Sequence, residues 1–379
     1  MTSFVNMDMM RELTWQEKAM RIHWLLLAIL LVVGVFGVVM LYSIAGGSFS
    51  PWALTQMVRL FICLLFVIML GMVDLRIWLM LAYPFYGICL ALLLGVEFFP
   101  ARGMGAERWL EVMSFRFQPS ELMRIGIVLA LARYYHYLEP EKISLPHYLI
   151  IPALLIMAPL LLVVRQPDLG TALMLMVIGA SIMFLAGIHW RYFAAAMVSL
   201  VIILPLLWHG MREYQRQRIL IFLDPERDPM GGGYHILQSK IAMGAGGLFG
   251  MGLGGGTQSN LNFLPEKHTD FIFTSLAEEL GMVGGLFLLG LYIALVVIGF
   301  RVALSASSNF ARLLCLGLIF SFFLYCFVNI AMVMGMLPVV GVPLPLISYG
   351  GTSMLTIMAG FGIIMAVHIH AHDEMPRNF

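Results

Sequence analysis

Four polar segments, far apart along an otherwise apolar chain, hold the side chains that could do chemistry. The first is Gln118-Pro119-Ser120-Glu121-Leu122-Met123-Arg124, preceded by Glu107-Arg108-Trp109. Glu121 and Arg124 stand three residues apart, a spacing that puts opposite charges on one helical face and lets them pair. Pro119 and Ser120 suit the first turn of a helix, so the pair either caps that helix or serves a binding site. The second segment is Arg165-Gln166-Pro167-Asp168-Leu169-Gly170-Thr171, and Asp168 after a proline reads first as an ordinary helix N-cap.

The third segment is a long polar stretch from about 210 to 270. It holds Tyr214-Gln215-Arg216-Gln217-Arg218, then Asp224-Pro225-Glu226-Arg227-Asp228, a run of glycines, and finally Glu266-Lys267-His268-Thr269-Asp270. Glycines let backbone N–H groups approach an anion, but no Gly-Lys-Ser/Thr follows, so this is not a P-loop; its default reading is a flexible loop. Asp270 sits where the stretch meets the next apolar run. There it can cap a helix or act as a general base toward a hydroxyl, and spacing leaves both open. The fourth segment, Pro338 to Ser353, carries Pro343 and Pro345 ahead of Ser348-Tyr349-Gly350-Gly351. That run cannot sit in an unbroken span, so its helix should begin irregularly, with exposed backbone lining a polar cavity. The ten histidines show no metal-ligand spacing, and His368, His370 and His372 read as interface residues.

The elements that must position these groups are membrane helices. Of 379 residues 61% are hydrophobic and only 11% charged, against about 25% in a soluble domain, and the mean hydropathy is +0.93. A net charge of +1 gives no reason to expect nucleic acid as a partner. The four cysteines lie in apolar runs, which argues against a disulfide framework or zinc site. The expected fold is all-α and polytopic, a single membrane domain over 1–379 with about ten spans. They fall near 22–44, 51–73, 76–98, 118–136, 148–165, 169–188, 191–209, 271–300, 311–336 and 345–370. With both termini in the cytoplasm, the inner segments hold ten Lys and Arg and the short outer loops four, as the positive-inside rule asks. The 210–270 loop then lies outside, and all four polar segments fall on the outer face. Gly281, Gly284, Gly285 and Gly290 on the eighth span would permit close approach of another helix.

These segments together resemble the SEDS family of polytopic membrane proteins (shape, elongation, division and sporulation). The most specific piece is Asn329, Gly335, Pro338 and Gly341 leading into Leu346-Ile347-Ser348-Tyr349-Gly350-Gly351-Thr352-Ser353. Tyr214 to Arg218, Leu223 to His235 and Leu264 to Gly281 resemble the RodA branch rather than the FtsW branch. The resemblance implies a peptidoglycan glycosyltransferase that polymerises lipid II into β-1,4 glycan at the outer face of the inner (cytoplasmic) membrane during elongation. It implies a class B penicillin-binding protein as partner, with other elongation-complex proteins. Asp270 matches the family's catalytic position and Glu121 its functional glutamate, while Arg124 stands where many relatives carry Lys. On that reading Asp270 is the base, and Arg108, Arg216, Arg218 and Lys267 are candidates to meet the diphosphate. Glu121 with Arg124, and Asp168, shape the pocket or hold a lipid head group, and Ser348 is a further substrate-binding or pocket residue. No protein metal site is expected, but a divalent cation, Mg or Mn, bridging the diphosphate is left open. The alternatives are a lipid II flippase, which the one-sided polar motifs and lack of inverted repeats disfavour, and a non-catalytic scaffold, which leaves the carboxylates without a role.

Overall fold

The structure, a computed structural model, describes residues 13–98, 109–112, 115–211, 213–225, 228, 232–260, 266–373 and 375. Arg108, Glu226 and Arg227 lie outside the described residues. The rest is almost wholly helical, the form in which an apolar chain satisfies every backbone group internally.

A short α1 (Trp15–Met20), closed by a Thr14–Glu17 capping box, leads into α2 (Trp24–Ile44), α3 (Ala53–Gly71) and α4 (Leu75–Phe98). A two-stranded antiparallel hairpin, β1 (Leu110–Val112) and β2 (Phe115–Phe117), precedes α5 (Pro119–Tyr137). Then come α6 (Ile150–Arg165), α7 (Leu169–Leu185), α8 (Trp190–Gly210), α9 (Glu213–Leu223), α10 (Gly232–Gly246) and a single turn α11 (Thr257–Asn260). Finally α12 (Ile272–Ser305), α13 (Asn309–Val333) and α14 (Gly351–Ile369) close the bundle. Among the described residues, seven helices are long and apolar enough to cross a membrane, and two shorter apolar ones, Leu169–Leu185 and Trp190–Leu206, join them. α5 carries Glu121, Arg124 and Arg133 and is buried on nearly every face, so it stands at the centre, flanked by α4, α7 and α13. Conversely α8 exposes apolar residues all round, from Trp190 to Leu206, as a helix solvated by lipid does.

Two expectations change. The stretch 210–270 is not a flexible loop, because α9, α10 and α11 occupy much of it and α10 packs against α12. The last helix starts at Gly351 rather than near 345, since the prolines exclude the helix and a side-chain network holds the run instead. Ser348 Oγ accepts from the Leu344 N–H (2.7 Å) and donates to the Thr269 carbonyl (2.6 Å), and Gln56 Nε2 donates to the Ser348 carbonyl (3.1 Å).

α12 is interrupted at Gly281, whose φ of 66° suits glycine. The glycine-rich stretch after α10 enters the break and supplies its missing hydrogen bonds. Met251 and Gly252 N–H groups donate to the Glu278 and Glu279 carbonyls (3.0 and 2.9 Å), while Met282 and Val283 donate to Gly247 and Leu248 (3.0 and 3.1 Å). These glycines therefore splint the helix that follows Asp270. Gly281, Gly284 and Gly285 are buried within the protein's own bundle, so the expected small-residue face is already used; of that run only Gly290 is open.

Candidate active site

The beginnings of α5, α7, α12 and α14 meet around a cavity of about 480 Å³, and all four polar segments contribute to its wall. Trp109, Gln118 and Glu121 come from the first; Asp168 and Thr171 from the second; Arg218, Glu266, Thr269 and Asp270 from the third; and Val340 to Pro343 with Tyr349, Gly350, Thr352 and Ser353 from the fourth. Tyr325 of α13 completes the lining.

Asp270 lies just ahead of α12, whose N-cap is Phe271 with no side-chain cap bond. Its backbone is held by Asn329, whose Nδ2 donates to the Asp270 carbonyl (2.9 Å) and to the Val342 carbonyl (2.6 Å). That single amide ties the carboxylate-bearing turn to the proline-rich segment.

Glu121 and Arg124 form a buried ion pair, Arg124 Nη2 to Glu121 Oε2, at 2.8 Å. Glu121 also accepts from the Tyr325 hydroxyl (3.3 Å) and the Thr356 hydroxyl (3.2 Å), and the Arg124 guanidinium lies 3.9 Å from the Tyr325 ring centroid. The pair is internal, and Glu121 also lines the cavity. Arg124 faces a smaller void beneath, beside Thr356 and Phe361. Asp168 likewise caps α7, accepting from the Thr171 N–H (3.2 Å) and hydroxyl (2.9 Å), while receiving Gln118 Nε2 at 3.4 Å.

Three other expected residues stand off the cavity. Arg216 donates to the carbonyls of Trp208 and His209 (2.9 and 2.7 Å), satisfying the open end of α8. Lys267 is buried, its pKa pushed down by desolvation and partly restored by Glu279. Ser348 is spent on the backbone bonds described above. Arg218 therefore remains as the expected cation that lines the cavity among the described residues.

Sequence reasoning missed Arg59 on α3. Its guanidinium lies 4.9 Å from the Tyr349 ring centroid, it packs against Gly351, and its Nη1 is buried without a hydrogen-bond partner. The signal was an arginine inside an apolar span, which is costly unless it serves something. Beside it, the N-cap of α14 is Gly350, which offers no side-chain cap, so the helix N-terminus is of the kind that can receive an anion. His268, stacked on Trp52 at 4.6 Å, has its pKa lowered by burial.

The chain as a whole is similar to known proteins. A family model described as cell cycle protein, covering FtsW, RodA and SpoVE, matches residues 21–373. The chain belongs to the FtsW/RodA/SpoVE family. Among the relatives of this family, "Peptidoglycan glycosyltransferase MrdB" of Escherichia coli strain K12 is 45% identical over 347 residues, 91% of this chain and 93% of that protein. A "Probable peptidoglycan glycosyltransferase FtsW" of Trichlorobacter lovleyi is 35% identical over 355 residues, 90% of this chain and 92% of that protein. A chain from a peptidoglycan synthase complex that coordinates polymerization and crosslinking superposes with a TM-score of 0.81 at 32% identity, covering 93% of this chain and 99% of that one. The rod shape determining protein RodA of Thermus thermophilus gives 0.69 at 28% identity over 93% and 98% of the two chains.

Proposed function

We infer that this multi-pass membrane protein is a peptidoglycan glycosyltransferase that polymerises lipid II into β-1,4 glycan strands during cell elongation. The observation that carries the reading is the convergence of four separate segments on one polar cavity with Asp270 in its wall. The activity is that named for the E. coli relative at 45% identity.

Lipid II holds its sugar in α linkage to a diphosphate and the product is β-linked, so the reaction inverts the anomeric carbon. Asp270 accepts the proton of the acceptor 4-hydroxyl as its oxygen bonds to the donor C1; the bond from C1 to the diphosphate oxygen breaks, and the polyprenyl diphosphate leaves with its negative charge. Arg218, Arg59 and the uncapped start of α14 meet that charge. Glu121, paired to Arg124, and Asp168 hold the wall in place.

The cavity gathers the carboxylates of Glu121, Asp168, Glu266 and Asp270, a hard-oxygen set suited to Mg2+ or Mn2+. Among the described residues no three of them cluster closely enough to hold an ion alone, so these carboxylates would hold it only together with bound substrate. Bound there, such a cation would neutralise charge on the leaving group.

The chain is oriented with ten spans, both termini in the cytoplasm and the cavity outside, on the ten-to-four Lys and Arg balance. It lies in the inner membrane and works with a class B penicillin-binding protein and other elongation-complex proteins, a reading supported by its likeness to the synthase-complex chain. Purified protein given labelled lipid II separates the readings. Polymer supports a polymerase, transbilayer lipid movement without polymer a flippase, and neither a scaffold.

A further inference from the structure

We propose that Asp74, His370 and Asp373, at the end of the bundle away from the cavity, form a binding site for one divalent transition-metal cation of the Zn2+ class. The site would clasp the α3–α4 turn to the end of α14. A ligand atom from each residue lies within 4.8 Å of the other two.

The decisive member is His370. It is 1% exposed, its Nδ1 is engaged by the Ala366 carbonyl at 3.0 Å, and its Nε2 is buried with no hydrogen-bond partner. A backbone carbonyl on one ring nitrogen fixes the tautomer and leaves a lone pair on the other, which is how metal-bound imidazoles are held. A metal binds the ring in its neutral form, through the nitrogen that carries no proton. A buried ring nitrogen left without a partner, on a histidine clustered with two carboxylates, is otherwise costly.

The carboxylates are also placed in advance. Asp74 precedes α4 and accepts the Arg76 N–H at 2.9 Å on Oδ1. The Asp373 N–H is held by the His370 carbonyl at 3.0 Å, so the two ligands share one turn. The charged groups packed alongside are Lys18, whose Nζ is held by the Met72 carbonyl at 3.0 Å, and Arg21, whose guanidinium is held by the Ile369 carbonyl at 3.2 Å. Neither is ion-paired to these aspartates among the described contacts. One nitrogen, two carboxylate oxygens and an open fourth position suit zinc; with ligand bonds of about 2.0–2.2 Å, the three atoms need close by only roughly an ångström.

The clasp has something to hold. Gly71 near the end of α3 packs on Met365 of α14, and Gly362 packs on Leu70 and Val67, so the two helices lie together up to this point. α14 begins at the cavity, about 28 Å away for a helix of its 19 residues.

The test uses the full untagged chain in detergent, stripped with chelator, and titrated with ZnCl2 by calorimetry, and separately with CoCl2 while recording the visible spectrum. The expected result is one equivalent of Zn2+ and a cobalt band that added Zn2+ removes. Binding should weaken at least tenfold in His370→Gln, Asp74→Asn and Asp373→Asn and persist in Asp270→Asn. Zinc should also raise the unfolding temperature of the wild type but not of those three variants. No uptake, uptake unchanged in the three variants, or uptake lost in Asp270→Asn overturns the proposal, and the wild-type cobalt spectrum decides it even where a variant does not fold.

Discussion

Gly341 backs the carboxylate of Asp270: a Cβ at Gly341 would lie 3.3 Å from Asp270 Oδ2, and its φ of +79° is one that side chains rarely adopt. The proline-rich segment thus sets the wall against which the proposed base rests. Gly341→Ala should strain the turn by about 1–2 kcal/mol and displace the carboxylate. Steady-state polymerisation should show kcat falling about tenfold or more with KM little changed. Equal kcat in a folded variant would mean the wall does not position the base.

The Glu121–Arg124 pair is buried on both sides, with side chains 6% and 4% exposed. Removing one partner strands the other, so Glu121→Gln should cost about 3 kcal/mol, seen as a lowered unfolding temperature. Arg124→Lys keeps the charge and should lose much less. Glu121→Gln combined with Arg124→Met should recover part of the loss, because no charge remains unpaired.

Arg59 has a buried Nη1 without a partner, so a purely structural role predicts no benefit from it. Arg59→Met should raise the KM for lipid II about tenfold, as loss of a charge-assisted contact of roughly 1.5 kcal/mol would. The unfolding temperature should fall little, since the lost cation–π contact with Tyr349 is worth about 1 kcal/mol. A large drop in stability with KM unchanged would assign Arg59 to packing.

His268 carries a pH dependence whose sign follows from its pKa being lowered from 6.5 by burial and by Lys267, with Glu266 opposing. The unfolded chain takes up the proton first, so stability is full above about 6.5 and is lost as pH falls toward the lowered value. Unfolding temperatures from pH 7.5 to 5.5 should fall less in His268→Phe, which keeps the stack on Trp52, than in the wild type. Identical slopes would remove His268 as a contributor.

The helices were legible because an apolar chain in lipid has few choices: each of the ten apolar windows holds a helix, and boundaries shift by a few residues at most ends. The irregular start of α14 was written in Pro343 and Pro345, although its first residue was placed too early. The break in α12 was not, because Gly281 inside an apolar run looks like any small residue until the stretch from Gly247 to Gly252 enters it. In the site, three segments were visible from their charges and the fourth from its prolines and glycines, and the structure puts all four around one cavity. Which arginines face it was not visible, since Arg216 and Arg218 differ only in the direction a helix turns them, and Arg59 belongs to a span with no other mark. Asp74 and His370 are separated by nearly the whole chain, so no spacing pattern could pair them.

The central claim is that Asp270 takes the proton from the acceptor hydroxyl in the cavity of the folded protein. The most direct measurement is the rate of glycan polymerisation from labelled lipid II by wild type and Asp270→Asn, each reconstituted in liposomes with the transpeptidase partner and matched for folding and partner binding. The account predicts a fall of about 10²- to 10⁴-fold in the variant with lipid II binding retained. A variant that polymerises at a rate close to the wild type would contradict it.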